Sequence, residues 1–450
     1  MTDTTGGVNL KDPNYMPPIG QAVPLGLQHV LAMFASNVTP AIIIASVAGF
    51  GFEAPGADIP TLNYMIQMSI LFAGVATLIQ TIGMGPVGAR LPIVQGTSFA
   101  FLPVMIPAVA GAGVAGMEGL ATGVVLGGLF HFCLGFVIGK IRFALPPLVT
   151  GLIVLMIGLL LIKVGIQYAA GGAGDFNMSK PTWGGGANWT VAFVVIIVTL
   201  AVKFFFKGFL STAAVLIGMV SGYLVAWFAF GLVSFDKVGF ASAFGAPVPF
   251  KFGWDINWTI VVGMCLMAFV SAVETVGDVS GITKGGAGRE ATNDEITGAT
   301  FADGLGTALA GVFGALPNTS FSQNVGLVAM TGVMSRHVVT IGAVFLIICG
   351  LSPKIAAYIN TVPFPVLGGG VIVMFGMVAS AGINMLSDVK WNKRNMVIFA
   401  LALTIGLGMA QQPDAMKFLP DMVVKLMATG LLPAAIIAIV LNLVLPEELD

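Results

Sequence analysis

Residues 91–101 read Leu-Pro-Ile-Val-Gln-Gly-Thr-Ser-Phe-Ala-Phe, and residues 316–326 read Leu-Pro-Asn-Thr-Ser-Phe-Ser-Gln-Asn-Val-Gly. The shared Thr-Ser-Phe triplets begin at Thr97 and Thr319, almost half the chain apart. Each triplet follows a proline in an apolar stretch and has a glutamine beside it. Interrupted membrane spans at matching places in two halves of a chain indicate a ligand site between the halves.

The composition is that of a membrane protein. The chain is 57% hydrophobic and 9% charged, whereas soluble domains carry roughly 25% charge. The 60 glycines among 450 residues predict closely packed membrane helices. A net charge of −1 gives no reason to expect a nucleic-acid partner. The three cysteines lie in apolar runs, so we expect core thiols and neither a disulfide nor a metal site, and we expect no cofactor.

The apolar stretches predict an all-α polytopic membrane protein with fourteen spans of about 20 residues each. Seven spans per half reverse the orientation of the second half, which makes a 7+7 inverted repeat. Residues 1–23 form a polar N-terminal tail. Clusters of Lys and Arg follow spans four, six, eight and twelve, so we predict that both termini are cytoplasmic.

Spans three and ten, which contain the triplets, are interrupted by Gly and Pro and are rich in residues that favour extended backbone. Non-helical backbone survives at membrane depth only where protein buries it or where it lines a cavity. We therefore predict that each span contains a short strand, that the two strands pair, and that the helix after each strand points its N-terminus at the site.

Three acidic residues lie in apolar surroundings: Glu274, Asp278 and Asp303. A charge at the bilayer centre costs about 2.5–3.5 kcal/mol on insertion scales, so such residues usually have a role. Glu274 is predicted to bind the ligand and to carry a proton, since desolvation disfavours a charged carboxylate. Asp278 and Asp303 could equally brace the interrupted spans.

Gln323 offers both a carbonyl and an amide N–H group, and with Glu274 it suits a planar ligand with alternating N–H and C=O groups, such as a nucleobase. His29, in span one, is a candidate for proton relay or for core packing. The sequence contains no GxxxxGK[ST], HExxH or GxSxG motif. We therefore expect neither ATP hydrolysis by this chain nor the common hydrolase chemistry of membrane enzymes.

The segment from Gln323 to Gly332, Gln-Asn-Val-Gly-Leu-Val-Ala-Met-Thr-Gly, matches the signature of the nucleobase–ascorbate transporter family: Gln, Glu or Pro, then Asn, any residue, Gly, four residues, Thr, and Arg, Lys or Gly. The chain resembles this family also at Gln28-His29, in the third span, at Glu274 with Gly277-Asp278, and around Asp303. The resemblance covers essentially the whole chain after its N-terminal tail.

The resemblance implies a core domain of spans 1–4 and 8–11 (24–138 and 258–352) and a gate domain of spans 5–7 and 12–14 (144–233 and 355–445). It implies a homodimer in the bacterial inner membrane that transports by an elevator-type motion. The implied site residues comprise the substrate contacts Glu274, Gln323, Phe99, Ser98 and Ser322, and the organising or proton-coupling residues Asp303, Asn324, His29 and Asp278.

The resemblance further implies a proton-coupled purine symporter. Uracil carriers typically have Glu where this chain has Gln323, and xanthine-selective members often have Asn where it has Ser98, so uric acid and xanthine rank first together. Val325 departs from the second Asn of many purine carriers. A carrier of uracil or another nucleobase, and an anion exchanger or channel on the same scaffold, remain alternatives.

Overall fold

The computed structural model describes residues 10–50, 59–110, 112–141, 146–173, 175–235, 238–239 and 241–446. Residues 1–9 of the predicted tail, 51–58 and 111 of the predicted core domain, and 144–145 and 174 of the predicted gate domain lie outside these ranges. The helices of the described part are α1 Ile19–Ala48, α2 Ile59–Ile82, α3 Leu102–Val109, α4 Gly113–Leu134, α5 Ile138–Ile141, α6 Pro147–Ala170, α7 Asp175–Met178, α8 Gly186–Phe205, α9 Phe209–Thr212, α10 Ala214–Phe228, α11 Trp258–Ile282, α12 Asn293–Val312, α13 Ser322–Thr331, α14 Arg336–Gly350, α15 Pro353–Ile359, α16 Phe364–Leu386, α17 Lys393–Gln411, α18 Asp421–Met427 and α19 Leu431–Val444.

Eight of these helices are long and apolar enough to cross a membrane, and the number rises to ten if each of two bent pairs counts as one span. The bends are 89° between α14 and α15 and 82° between α18 and α19. The other predicted spans correspond to α12, to the 15-residue α10, and to the two interrupted segments. The expected helical membrane fold is confirmed at this level, while the count of fourteen and the inverted repeat stay predictions.

The two interrupted segments form a buried, two-stranded antiparallel sheet. Strand β1 (Gln95–Thr97) pairs with β2 (Asn318–Ser320) in the register Gln95↔Ser320, Gly96↔Thr319 and Thr97↔Asn318. Two flanking backbone bonds extend the ladder: the Ser98 N–H donates to Pro317 O at 2.8 Å, and the Phe321 N–H donates to Val94 O at 3.0 Å. The prediction that the strands pair is confirmed.

Helices around the sheet approach one another through glycine, as the composition predicts. A Cβ atom on Gly304 of α12 would lie 2.2 Å from the backbone nitrogen of Phe132 of α4. On Gly368 of α16 it would lie 2.0 Å from that of Ala169 of α6. Only a residue without a side chain permits such spacing, and van der Waals packing at this distance holds helices together in lipid.

Two sets of helices meet near the sheet. Helices α1, α2, α11 and α12 contact the strands, and α4 and α14 pack on these four helices. The second set, α6, α8, α10, α16, α17 and α19, packs mainly on itself. The division into core and gate domains, and the motion of one against the other, stay predictions.

Candidate functional site

A small pocket of about 50 Å³ lies where the two strands meet α6, α11, α13 and α16. Its polar lining comes from the strands, α11 and α13, whereas α6 and α16 contribute only apolar side chains. The lining residues are Thr97, Phe99, Ala100, Val154, Ile157, Glu274, Thr319, Ser320, Phe321, Ser322, Gln323, Val378 and Ala381. Four predicted substrate contacts, Glu274, Gln323, Phe99 and Ser322, are thus brought together.

Glu274 and Gln323 bring open hydrogen-bonding groups to this pocket. The Oε2 atom of Glu274 is buried and has no hydrogen-bond partner among the described residues. The side-chain amide of Gln323, in the first turn of α13, likewise has no partner within the described part of the chain. A buried polar atom without a partner is unfavourable by about 1–3 kcal/mol, and this applies to Glu274 Oε2, whereas Gln323 is half-buried. That the two residues bind a ligand stays a prediction.

Two phenylalanines from the repeated triplets form part of the pocket wall. Phe99 packs edge-on against Phe375 of α16 with ring centroids 5.1 Å apart. Phe321 occupies the corresponding position after β2 and lies over Gly96, where a Cβ atom would come within 2.4 Å of its ring. Aromatic rings at these positions suit a flat ligand.

Asp278 braces the junction of β2 and α13. Its Oδ2 accepts from the Ser320 hydroxyl at 2.6 Å, and its Oδ1 accepts from the Ser322 hydroxyl at 2.7 Å. Both carboxylate oxygens are therefore occupied, and the side chain fixes the position at which the strand becomes a helix.

Asp303, which is fully buried, ties three elements together. Its Oδ1 accepts from Gln80 Nε2 of α2 at 2.9 Å and from Gln95 Nε2 of β1 at 2.5 Å. Its Oδ2 accepts from the Thr275 hydroxyl of α11, one residue after Glu274. Asp303 thus lies behind the pocket, where it connects the strand to the helix that carries Glu274.

Asn324 and His29 meet on the other side of α13. Asn324 Nδ2 lies 3.0 Å from His29 Nδ1 and also donates to the His29 carbonyl at 3.0 Å. If the Asn324 amide donates to His29 Nδ1, the neutral imidazole of His29 carries its proton on Nε2. Both residues are buried and neither lines the pocket.

Ser98 is also buried and is not among the lining residues. Its hydroxyl accepts from the Ala100 N–H at 3.3 Å. The side chain therefore lies in the turn that leads from β1 to Phe99, and its effect on ligand size stays a prediction.

Sequence reasoning missed the side chains that satisfy the strand backbones. The hydroxyl of Thr77 on α2 binds both the N–H and the carbonyl of Gln95, and Thr307 on α12 does the same for Asn318. Asn37 of α1 accepts from the Thr97 N–H at 2.8 Å. All three are polar residues in apolar stretches, and this pattern was the signal that could have indicated a structural role. Nothing in the sequence, however, connects them to the strands.

A family model described as "Permease family" matches residues 20–415. The chain belongs to this family. The permease is 34% identical to xanthine permease XanP of Escherichia coli strain K12, over 96% of this chain and 93% of the relative. It is also 34% identical to the uric acid transporter UacT of the same organism, over 94% of this chain and 86% of the relative. The predicted family and its transporter class, as opposed to an enzyme family, are confirmed, and the permease is an integral membrane protein.

The permease also shares its fold with a solved structure. The transmembrane domain of the cyanobacterial bicarbonate transporter BicA superposes with a TM-score of 0.63, covering 96% of this chain and 99% of that domain. The identity is 14%, so this similarity concerns the fold alone.

Proposed function

We propose that this permease is a proton-coupled symporter that imports purine nucleobases, with uric acid and xanthine as the leading substrates. The observation that carries the proposal is the pair of open groups in the pocket, Glu274 Oε2 and the Gln323 amide. A carboxyl group and an amide together supply the donors and acceptors that the N–H and C=O edge of an oxidised purine requires. Backbone groups near Phe99 and Ser322 complete the set.

Proton coupling is assigned to Glu274. Asp278 and Asp303 each have both oxygens engaged, so Glu274 is the acid whose hydrogen bonding a ligand can change. One proton moving down about 100 mV supplies roughly 2.3 kcal/mol, which supports a substrate gradient on the order of fifty-fold.

The elevator-type mechanism is supported by the asymmetry of the pocket walls. All of the polar lining belongs to the strands and to α11 and α13, while α6 and α16 present Val154, Ile157, Val378 and Ala381. An apolar surface makes no directional bonds. The polar wall, formed by the strands, α11 and α13, can therefore slide along the apolar surface of α6 and α16 with the ligand bound. The pocket of about 50 Å³ is smaller than a nucleobase site, hence the two walls must separate for loading.

The relatives named above act on xanthine and on uric acid, and their equal identity to this chain does not rank the two substrates. Gln323 in place of Glu favours a purine over uracil. An anion exchanger or channel on this scaffold is the alternative from another class. It would not need the pocket carboxyl group of Glu274, which repels anions unless it carries a proton, and Glu274 therefore disfavours this alternative. The proposal includes a homodimer in the bacterial inner membrane with cytoplasmic termini.

Uptake of labelled uric acid, xanthine and uracil by cells that express the permease tests the proposal. We expect accumulation of at least one of the two purines, weak uptake of uracil, and loss of accumulation when a protonophore is added. Purine uptake that a protonophore leaves unchanged would overturn proton coupling, and absence of purine uptake would overturn the substrate class.

A further inference from the structure

A second, larger cavity continues from the candidate site. It has a volume of about 470 Å³ and shares Ser322, Gln323, Val378 and Ala381 with the small pocket. Helices α1 and α13 line one side, and α8, α10 and α16 line the other. Its size falls in the range of small-molecule sites, so it can hold a ligand that has moved away from Glu274 and the strands.

The cavity lies on the side of the molecule where the N-terminal segment is found. Met330, near the end of α13, lines the cavity, and the backbone N–H of Met334 donates to the carbonyl of Leu10 at 2.9 Å. The N-terminus is predicted to be cytoplasmic, so a ligand in this cavity is on the cytoplasmic side of the site.

Lys203 is the single charged residue among the described residues that line the cavity. It belongs to the last turn of α8, is exposed, and forms no ion pair with a carboxylate of the described residues. The Ser211 hydroxyl donates to its backbone carbonyl at 3.1 Å, which holds the end of α8 beside the cavity. The opposite end of the cavity approaches the acidic group of the site through Ser322 and Gln323.

We propose that Lys203 forms a second, transient binding site for anionic purines on the cytoplasmic side of the candidate site. This site favours substrates in the anionic form over neutral ones. This inference rests on the proposed function. An anion near Glu274 is repelled, and a cation in a cavity with low-dielectric walls focuses the field and raises the local concentration of anions. Uric acid is mostly anionic at neutral pH, whereas xanthine is mostly neutral, so the two substrates differ in how strongly Lys203 attracts them.

The test uses inside-out membrane vesicles, in which the cytoplasmic side faces the medium, at a pH where uric acid is the monoanion and xanthine is neutral. We expect Lys203→Gln to raise the KM for uric acid about two- to five-fold at low ionic strength and to leave the KM for xanthine less affected. Lys203→Arg should preserve the KM, and the effect of Lys203→Gln should shrink at high salt. Lys207→Gln is the matched control, since Lys207 is also exposed but does not line the cavity.

Equal KM changes for uric acid and xanthine, or the same change in Lys207→Gln, would overturn the proposed second binding site. Lys203 would then interact with lipid headgroups or contribute only to the general surface charge. An unchanged KM for uric acid in Lys203→Gln would also overturn the proposed site. If the unmodified permease moves neither purine in these vesicles or in cells, the proposed function fails, and the two failures are thereby distinguished.

Discussion

Ser322, the first residue of α13, donates its hydroxyl to Asp278 of α11 at 2.7 Å. The contact occupies one oxygen of Asp278, and Ser320 occupies the other. Asp303 is also bonded through both oxygens. Among these three acids, Glu274 alone has a buried oxygen without a partner in the described part of the chain, which separates it from the two that brace the site.

Glu274→Gln should abolish accumulation of purines and leave the protein folded and inserted. The amide keeps the size of the side chain but can neither ionise nor carry the proton. Uptake with and without a protonophore, together with the membrane content of the variant, measures this. Near-normal uptake that remains sensitive to a protonophore would remove Glu274 from the mechanism.

Gln323→Glu should weaken purine transport and admit uracil. The substitution removes the amide donor and places a second carboxyl group in the pocket that contains Glu274. Competition by unlabelled uracil against labelled purine provides the measurement. A variant with unchanged selectivity between purines and uracil would show that Gln323 does not determine which nucleobase binds.

Gly96→Ala should destabilise the site. The new methyl group would lie 2.4 Å from the Phe321 ring and 2.8 Å from Asn37 Oδ1, so β1 and Phe321 cannot both keep their positions. Overpacking of this kind costs about 1–3 kcal/mol, and we expect a lower melting temperature and lost uptake. Gly408→Ala is the control, because no described atom beyond its chain neighbours and the nearby backbone of its own helix lies within 4 Å of the added methyl group. Equal melting temperatures for the two variants would contradict the predicted clash.

Ser98→Asn should raise the inhibition constant of uric acid relative to that of xanthine. Ser98 is buried in the turn before Phe99, so added bulk displaces the pocket wall, and uric acid carries one more carbonyl than xanthine. A mismatch in a shaped pocket is worth about 1–3 kcal/mol, or roughly ten- to hundred-fold. Ser98→Ala, which removes only the hydroxyl, separates size from hydrogen bonding. Equal changes for both purines would show that Ser98 affects the strand and not selectivity.

Thr292→Ala should weaken the start of α12, the helix that carries Asp303. Thr292 and Glu295 form a reciprocal capping box, and Arg289 binds Glu295 through two hydrogen bonds. Burial raises the pKa of Glu295, but the bonds from Arg289 and Thr292 outweigh burial and hold that pKa below its usual value. We expect a loss of about 1 kcal/mol of stability at neutral pH.

The pKa of Glu295 is lower in the folded state than in the unfolded state. The ionised side chain therefore adds to the free energy of unfolding at pH values above the unfolded-state pKa, and this stabilisation is lost as the pH falls through the folded-state pKa. Glu295→Gln removes the charge that accepts from the Thr292 N–H and from Arg289, and a protonated Glu295 resembles this variant. The difference in thermal stability between Glu295→Gln and the unmodified protein should therefore narrow in acid. A difference that stays constant from neutral pH to strongly acidic pH would refute the role of the Glu295 carboxylate in the cap.

The sequence determined the membrane class, the interrupted segments and the family, because composition, proline and glycine breaks and a local signature each act within a few residues of the chain. The repeat of the Thr-Ser-Phe triplet also predicted that the two strands pair, although their residues lie far apart in the chain. The sequence also placed Glu274 and Gln323 among the site residues. The tertiary structure decided which acids brace the site and which one leaves an oxygen without a partner in the pocket. That distinction depends on hydrogen bonds such as Gln80 to Asp303 and Ser320 to Asp278, whose partners are 223 and 42 residues apart and meet only when the helices pack.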